Sequence, residues 1–535
     1  MLPASVSAAA TPLEPAMRPH RTSTLPAFAV ALAAVALAAP LAACIDDGAP
    51  IDPVAIDEPI APDDPARPEQ PGEPTTPPDE PTAPPANLST GCPVEGTAAN
   101  MSLAITDATV LARFSFARTV AQIRATASVP PTQTTRTLWR DWMRSFTATG
   151  AAGDCDDVDG QRYGLRCPRL PETKLMNVDP FAAGAAVRFV PVALFNRFDL
   201  APGTGSNCGE YRIVYAMQST NPQIGGRAFF IFEGALANPN PAAGLAACLP
   251  VARFWQGLSA DGDPASRAAK LERFYYLGTA VPGFAAVVRA SSYGLANGAT
   301  AVHGASQIRG NFFVDNTEWH LREYKLRRSC AVATDVATCR LAAELVPVKA
   351  NPADELFRGT HALAASFQPA FVAQVPRLIG ANVNSLGLAT ADSFNELESV
   401  SQITPAPAPV RYDINASAAM RTAITTRLGQ LGSSLTASQV LARATTQTCA
   451  GCHQVANNLA LGGGLRWPAS LQFVHVDENR RLSPALTGTF LPRRLQVLEG
   501  FINARCTPTS PVPRAEVPAI ADGLTVGGSP IGAAN

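Results

Sequence analysis

Apolar and polar residues follow different patterns in successive parts of this chain. Residues 25–43 form an almost unbroken apolar run, and residues 46–87 are dense in Pro, Asp and Glu. From about residue 186, Val, Ile, Phe and Tyr gather in short runs bounded by Gly, Pro and Asn, which is typical of β-strands. After Asn351-Pro352 the apolar residues recur at helical spacing. The pattern therefore predicts an α+β fold with a β-rich central domain and flanking helices.

Individual elements follow from the same pattern. Helix starts are predicted at Asp107, Asp263-Pro264 and Thr436, where a capping side chain or a first-turn proline precedes an apolar repeat. Strands are predicted in VRFVPVALFNRFDL, EYRIVYAM, RAFFIFEGAL, GNFFVDNTEWHLREYKL and AAELVPVKA. The predicted organisation is a helical N-terminal segment at 92–185, a β-rich domain at 186–350 and a helical connector at 351–433.

The apolar run near the N-terminus predicts export. Arg18 and Arg21 precede residues 25–43, and this order describes a secretory signal rather than folded structure. The run ends in Leu41-Ala42-Ala43-Cys44, which resembles the lipobox of bacterial lipoproteins. The resemblance implies removal of residues 1–43, lipid on Cys44, and anchoring in the cell envelope, at the periplasmic face or the outer-membrane surface. The alternative is ordinary signal cleavage, with Cys44 an incidental thiol.

Composition and charge predict the nature of residues 44–91 and argue against some classes of partner. Residues 44–91 are predicted to be an extended linker, because a Pro-rich acidic chain cannot bury enough apolar surface to offset its ordering entropy. The chain of 535 residues has a net charge of -1, which argues against nucleic acid as a partner. No apolar stretch of about 18 residues follows residue 45, so no transmembrane helix is predicted in the mature chain.

The strongest chemical signal is Cys449-Ala450-Gly451-Cys452-His453. Two cysteines three positions apart place both sulfurs on one side of a helical turn, where each can form a thioether to a porphyrin vinyl group. The next residue, His453, can then bind the iron. Three alternatives use the same cysteines: a redox-active CxxC disulfide, a zinc site and a structural disulfide.

This motif resembles that of the cytochrome c family, and the resemblance covers residues 434–506. It implies a small all-α domain with one covalent haem c, in which a helix leads into the motif and a C-terminal helix, RRLQVLEGFINA, crosses it. Residues 507–535 are then a tail. The family's usual second iron ligand is Met or His. His475 is the only histidine downstream of the motif and is the candidate, while Met420 and an open coordination position remain alternatives.

Cysteine usage agrees with an exported protein. Setting aside Cys44, Cys449 and Cys452 leaves eight of the eleven cysteines, an even number that favours disulfides in an oxidising compartment. Other connectivities remain open, but the pairs favoured by spacing are Cys155–Cys167, Cys330–Cys339 and Cys208–Cys248, leaving Cys92 and Cys506.

The other acidic and histidine residues do not predict a metal site. The acidic run at Asp154, Asp156, Asp157 and Asp159 misses the EF-hand spacing and is interpreted as a solvated loop. His303, His320 and His361 share no ligand spacing and are interpreted as packed or surface residues.

The sequence as a whole predicts a redox role for the mature protein. Phrases such as FNRFDLAP and CGEYRIVYAM make residues 105–360 resemble a group of exported myxobacterial lipoproteins with no assigned activity. The favoured hypothesis is a lipid-anchored, single-haem electron carrier with a protein redox partner and no catalytic residues of its own. The alternatives are a haem-dependent redox enzyme and an interaction or sensor lipoprotein in which the haem is structural.

Overall fold

The computed structural model describes residues 100–147, 165, 168–314, 318–402 and 408–505. These residues all belong to the unit Pro53–Asn535. The predicted signal peptide, Cys44, the linker, the acidic run at 154–159 and the tail at 507–535 lie outside the described residues.

Strands and helices both contribute to the described part, so the α+β class is confirmed. The strands are β1 (Ala104–Ile105), β2 (Val187–Arg197), β3 (Asn207–Ser219), β4 (Arg227–Ala237), β5 (Ala296–Asn297), β6 (Gln307–Phe313), β7 (Glu318–Cys330), β8 (Cys339–Val346), β9 (Glu398–Gln402), β10 (Ala460–Gly462) and β11 (Leu465–Arg466). The α-helices are α1 (Asn100–Leu103), α2 (Ala108–Leu111), α3 (Phe116–Thr126), α4 (Thr135–Arg144), α5 (Leu170–Thr173), α6 (Leu249–Ser259), α7 (Pro264–Glu272), α8 (Asp354–Arg358), α9 (Ala364–Ala373), α10 (Val375–Leu378), α11 (Tyr412–Asn415), α12 (Ala418–Gln430), α13 (Ala437–Thr445) and α14 (Leu491–Asn503).

A large sheet organises the described residues. Its strand order is β1-β2-β3-β4-β6-β7-β5, and β8 and β9 also pair with β7. All pairs in it are antiparallel except that of β5 with β7. The strands predicted at 187–200, 210–217 and 227–236 are confirmed as β2, β3 and β4. The run GNFFVDNTEWHLREYKL, predicted as a single strand, instead supplies parts of β6 and β7, and residues 315–317 between them lie outside the described residues.

Capping hydrogen bonds confirm the predicted helix starts. Asp107 accepts hydrogen bonds from the first turn of α2, Asp263 accepts one from Ala265 N, and Thr436 forms a reciprocal capping box with Gln439. The apolar repeat after Asp107 is divided between two helices, because α2 ends at Leu111 and α3 begins separately after its own cap, Ser115. Two predicted disulfides, Cys208–Cys248 and Cys330–Cys339, are also confirmed. The predicted pair Cys155–Cys167 and the remaining Cys92 and Cys506 lie outside the described residues.

The two faces of the sheet differ because side chains alternate along each strand. We call one the aromatic face. Phe116 of α3 packs on it, with its ring centroid 5.2 Å from that of Tyr215. Trp142 of α4 also packs on this face, with its ring centroid 5.4 Å from that of Phe230. Burial of these large rings supplies much of the apolar core between the sheet and the N-terminal helices.

The opposite face, which we call the polar face, carries a row of buried ion pairs. Arg212 of β3 lies opposite Glu233 of β4, and its Nη1 is 3.0 Å from Glu233 Oε1. Arg309 of β6 continues the row, with Nη1 3.2 Å from Glu233 and Nη2 3.1 Å from Glu323 of β7. All four side chains are buried. Charges buried together in this way are tolerated because each is paired with an opposite charge.

Candidate functional site

Residues 449–453 lie against the polar face of the sheet, near its β6, β7 and β9 strands. Helix α13 leads into the motif, and Ala450 N donates a hydrogen bond of 2.9 Å to Ser399 Oγ of β9. Gly451–Val455 form a π-helical turn, a wider turn that recurs at functional sites. Cys449, Cys452 and His453 are exposed by only 1%, 3% and 0%, so all three are shielded from solvent.

Gly451 is required by the close approach of two backbone segments. A Cβ atom at this position would overlap the carbonyl oxygen of Thr445 at the end of α13. Gly451 N in turn donates to Thr448 Oγ1 at 2.9 Å. The central glycine of the motif therefore has a steric role that spacing alone did not indicate.

The two cysteines are not joined to each other. Within the described part of the chain, Cys449 and Cys452 are free thiols, while Cys208–Cys248 and Cys330–Cys339 are bridged. Burial raises the pKa of Cys449 to about 11, and burial also raises the pKa of Cys452. Both groups are therefore neutral thiols near neutral pH. Reactive redox cysteines are instead accessible and have lowered pKa values.

His453 is oriented by a backbone carbonyl. Its Nδ1 lies 2.8 Å from the carbonyl oxygen of Phe473. A carbonyl oxygen can only accept, so Nδ1 must be the donor, and in the neutral ring the lone pair is then on Nε2. Histidines that bind a metal through one ring nitrogen usually donate the other ring N–H to such an acceptor. The tautomer is therefore the one that an iron ligand needs.

Trp319 of β7 packs on the imidazole of His453. The two ring centroids are 5.4 Å apart with an angle of 28° between the planes, and Trp319 is fully buried. Sequence analysis did not select Trp319, because it lies more than a hundred residues before the motif and reaches it only through the pairing of β7 in the sheet.

His475 contacts the motif at the sulfur atom of Cys452. Its Nε2 lies 3.3 Å from Cys452 Sγ, and its Nδ1 lies 2.8 Å from Ser483 Oγ. Burial lowers the pKa of His475 well below its usual value, and the nearby His453 and Arg494 lower it further. A neutral imidazole therefore faces a neutral thiol. The rings of His475 and His453 are 4.9 Å apart at 61°.

The other residues considered from the sequence lie elsewhere. Met420 is buried in α12 within the apolar core of the connector helices. His303 Nε2 is 2.6 Å from Glu344, and His361 Nδ1 accepts from Leu363 N at 3.0 Å. His320 is buried in β7, with its ring nitrogens 3.1 Å from Glu318 and 3.3 Å from Glu398.

The donors around the motif fit a haem of c type. Such a haem needs two thiols that are not bridged and one imidazole that presents Nε2, and Cys449, Cys452 and His453 supply these. No group of three or more His, Cys, Asp or Glu side chains able to hold a metal ion occurs within the described ranges. Haem does not need such a group, because four of the iron ligands come from the porphyrin.

Comparison with protein-family models, with curated proteins and with solved structures finds no match to this chain. Among the helices that the structure describes, none has the length and apolar character needed to cross a membrane.

Proposed function

We propose that Cys449 and Cys452 attach one haem c, that His453 binds its iron, and that the chain transfers electrons in the cell envelope. In this proposal residues 434–506 form the cytochrome c-like haem unit, which α13 enters and α14 closes. Lipid on Cys44 anchors the protein to a membrane, and a second protein exchanges electrons with it.

The observation that carries the proposal is the state of the three motif side chains. The thiols are unbridged in a chain that pairs other cysteines, and the imidazole of His453 has its Nδ1 hydrogen-bonded to a carbonyl. The raised pKa values of both thiols, caused by burial, disfavour a role in thiol–disulfide exchange.

In this proposal, different residues of the chain hold the cofactor, orient the iron ligand and shield it. Cys449 and Cys452 hold the cofactor, the carbonyl of Phe473 fixes the orientation of His453, and Trp319 shields one face of that imidazole. Haem iron, when bound, supplies one-electron oxidation and reduction. Burial of the motif excludes water, which lowers the cost of reorganising the surroundings when the charge changes.

The test is haem staining of the full chain, expressed with a c-type maturation system and separated on a denaturing gel. We expect stain on the wild type, and none on Cys449→Ser combined with Cys452→Ser. The matched control is Cys330→Ser combined with Cys339→Ser, which removes two cysteines away from the motif and should keep the stain. Absence of stain from the wild type, or a mass showing Cys449 bonded to Cys452, would overturn the proposal.

Two further measurements address the carrier role and the anchor. A six-coordinate iron that does not bind carbon monoxide is expected for a carrier, whereas rapid binding would favour an enzyme or sensor. The mass of the N-terminal peptide is expected to show acyl chains on Cys44. An unmodified thiol there would leave the protein without a lipid anchor.

A further inference from the structure

We propose that Asn311 is a positioning residue that weakens the hydrogen bond orienting His453 and thereby raises the reduction potential of the iron. This inference rests on the proposed function, because it concerns the ligand that His453 provides. It assigns a role to a residue of β6 that lies far from the motif in sequence.

The geometry places Asn311 and His453 on the same acceptor. The carbonyl oxygen of Phe473 accepts from His453 Nδ1 at 2.8 Å and from Asn311 Nδ2 at 3.1 Å. Asn311 is 2% exposed and His453 is 0% exposed, so both donors are shielded from solvent. The two side chains therefore share one buried carbonyl.

The orientation of the Asn311 amide follows from its two partners. Trp319 Nε1 can only donate, and it contacts Asn311 Oδ1. The carbonyl of Phe473 can only accept, so it must face Nδ2. Since the Trp319 ring also stacks on His453 at 5.4 Å, the four residues form a closed set of contacts around the imidazole.

Sharing the carbonyl has a predictable electronic effect. An oxygen that already accepts one hydrogen bond is a weaker acceptor for the second, so Asn311 limits how strongly His453 Nδ1 donates. A weaker Nδ1 hydrogen bond leaves the imidazole a poorer electron donor to the metal, and a poorer donor favours the reduced iron. The hydrogen bond from Trp319 polarises the Asn311 amide and strengthens this competition.

The sign of the change in reduction potential distinguishes the loss of the Asn311 hydrogen bond from a general loss of polarity around the iron. Replacing Asn311 by an apolar residue makes the surroundings less polar, which disfavours the extra positive charge of the oxidised iron and would raise the potential. Loss of competition for the Phe473 carbonyl strengthens the donor character of His453 and lowers the potential. The two explanations therefore predict shifts of opposite sign.

The experiment compares three variants of the mature, haem-loaded chain by redox titration. Asn311→Leu removes the competing donor and is expected to lower the midpoint potential. Trp319→Phe keeps an aromatic ring over His453 but removes the Nε1 donor, so a smaller shift of the same sign is expected. Ser399→Ala removes a buried polar contact to the motif at Ala450 and does not touch the Phe473 carbonyl, so it should not lower the potential.

A second measurement reads the hydrogen bond itself. In the reduced protein, we expect the 15N chemical shift of His453 Nδ1 to change in Asn311→Leu in the direction that indicates a stronger hydrogen bond from Nδ1. The shift should stay unchanged in Ser399→Ala. If Asn311→Leu does not accumulate as a folded protein, Asn311→Ser shortens the side chain without adding bulk and serves the same purpose.

The outcomes distinguish this inference from the proposed function. A wild type without haem overturns both. A wild type with haem, combined with an unchanged or raised potential and an unchanged Nδ1 shift in the Asn311 variant, overturns only the role of Asn311. An equal lowering by Ser399→Ala would also overturn it, because the effect would then follow from any polar loss near the motif.

Discussion

Arg227 of β4 forms a two-point ion pair with Glu478, in which Nε lies 2.7 Å from Oε1 and Nη2 lies 2.8 Å from Oε2. Arg227 Nη1 also donates to the carbonyl of Gln472 at 2.8 Å. The next residue is Phe473, whose carbonyl orients His453. The pair therefore joins the sheet to the loop on which the candidate site depends.

This loop has a conformation that it would not hold alone. Gln472 and Phe473 have φ angles of 52° and 74°, in the left-handed region that side chains with a Cβ rarely adopt. We expect Arg227→Gln to speed hydrogen exchange of the backbone at 472–476. The loss in free energy of unfolding should be about 1 kcal/mol or less, because the pair is partly exposed. Exchange measured by mass spectrometry checks this. Arg188→Gln, which removes an arginine of β2 that donates to Gln218 of β3, should leave the loop unchanged.

Gly451 offers a test of the close packing at the motif. Gly451→Ala is expected to lower the free energy of unfolding by about 1–3 kcal/mol, since its Cβ would press on the Thr445 carbonyl. Gly429→Ala is the control: Gly429 lies in α12 with nothing within 4 Å of the added Cβ. Alanine there should stabilise the protein by up to about 1 kcal/mol. Urea unfolding of both variants compares them, and equal effects would refute the steric role of Gly451.

The two disulfides should differ in their contribution to stability. Cys208 and Cys248 are 40 residues apart, whereas Cys330 and Cys339 are 9 apart. In the chain-entropy account, removing them costs about 4 and about 3 kcal/mol respectively, because the longer loop restricts the unfolded chain more. Paired Cys→Ala variants compared by denaturant midpoint check the order. A larger loss from the 330–339 pair would count against the loop-length explanation.

Asp261 provides an expected pH dependence. Its hydrogen bond from Lys270 Nζ, followed by those from Ser266 and the Asp263 backbone, lowers its pKa from 3.8 to about 2. The ionised form is favoured in the folded state, so the contribution to stability is complete above pH 3.8 and is lost as pH falls through about 2. We expect Lys270→Met to raise the pKa of Asp261, as measured by NMR titration of its carboxyl carbon. Ser266→Ala should raise it less, and the reverse order would contradict this assignment.

Local patterns in the sequence determined the elements of this fold and the identity of the motif. The apolar alternation of 210–217 predicts β3, and the capping residues at Thr436 and Gln439 predict the start of α13, because both depend on contacts within a few residues. The five residues from Cys449 to His453 likewise carry their chemical meaning in their spacing.

Only the tertiary structure decided what surrounds the motif. Strand pairing brings Asn311 and Trp319 together on the polar face, and the loop at 472–476 then delivers the Phe473 carbonyl and His475 to the motif. His475 could be singled out from the sequence, as the histidine downstream of the motif, but Asn311, Trp319 and Phe473 could not, because their types are ordinary for strands and loops. Their roles arise from the register of the sheet and from packing between distant segments, which no local periodicity records.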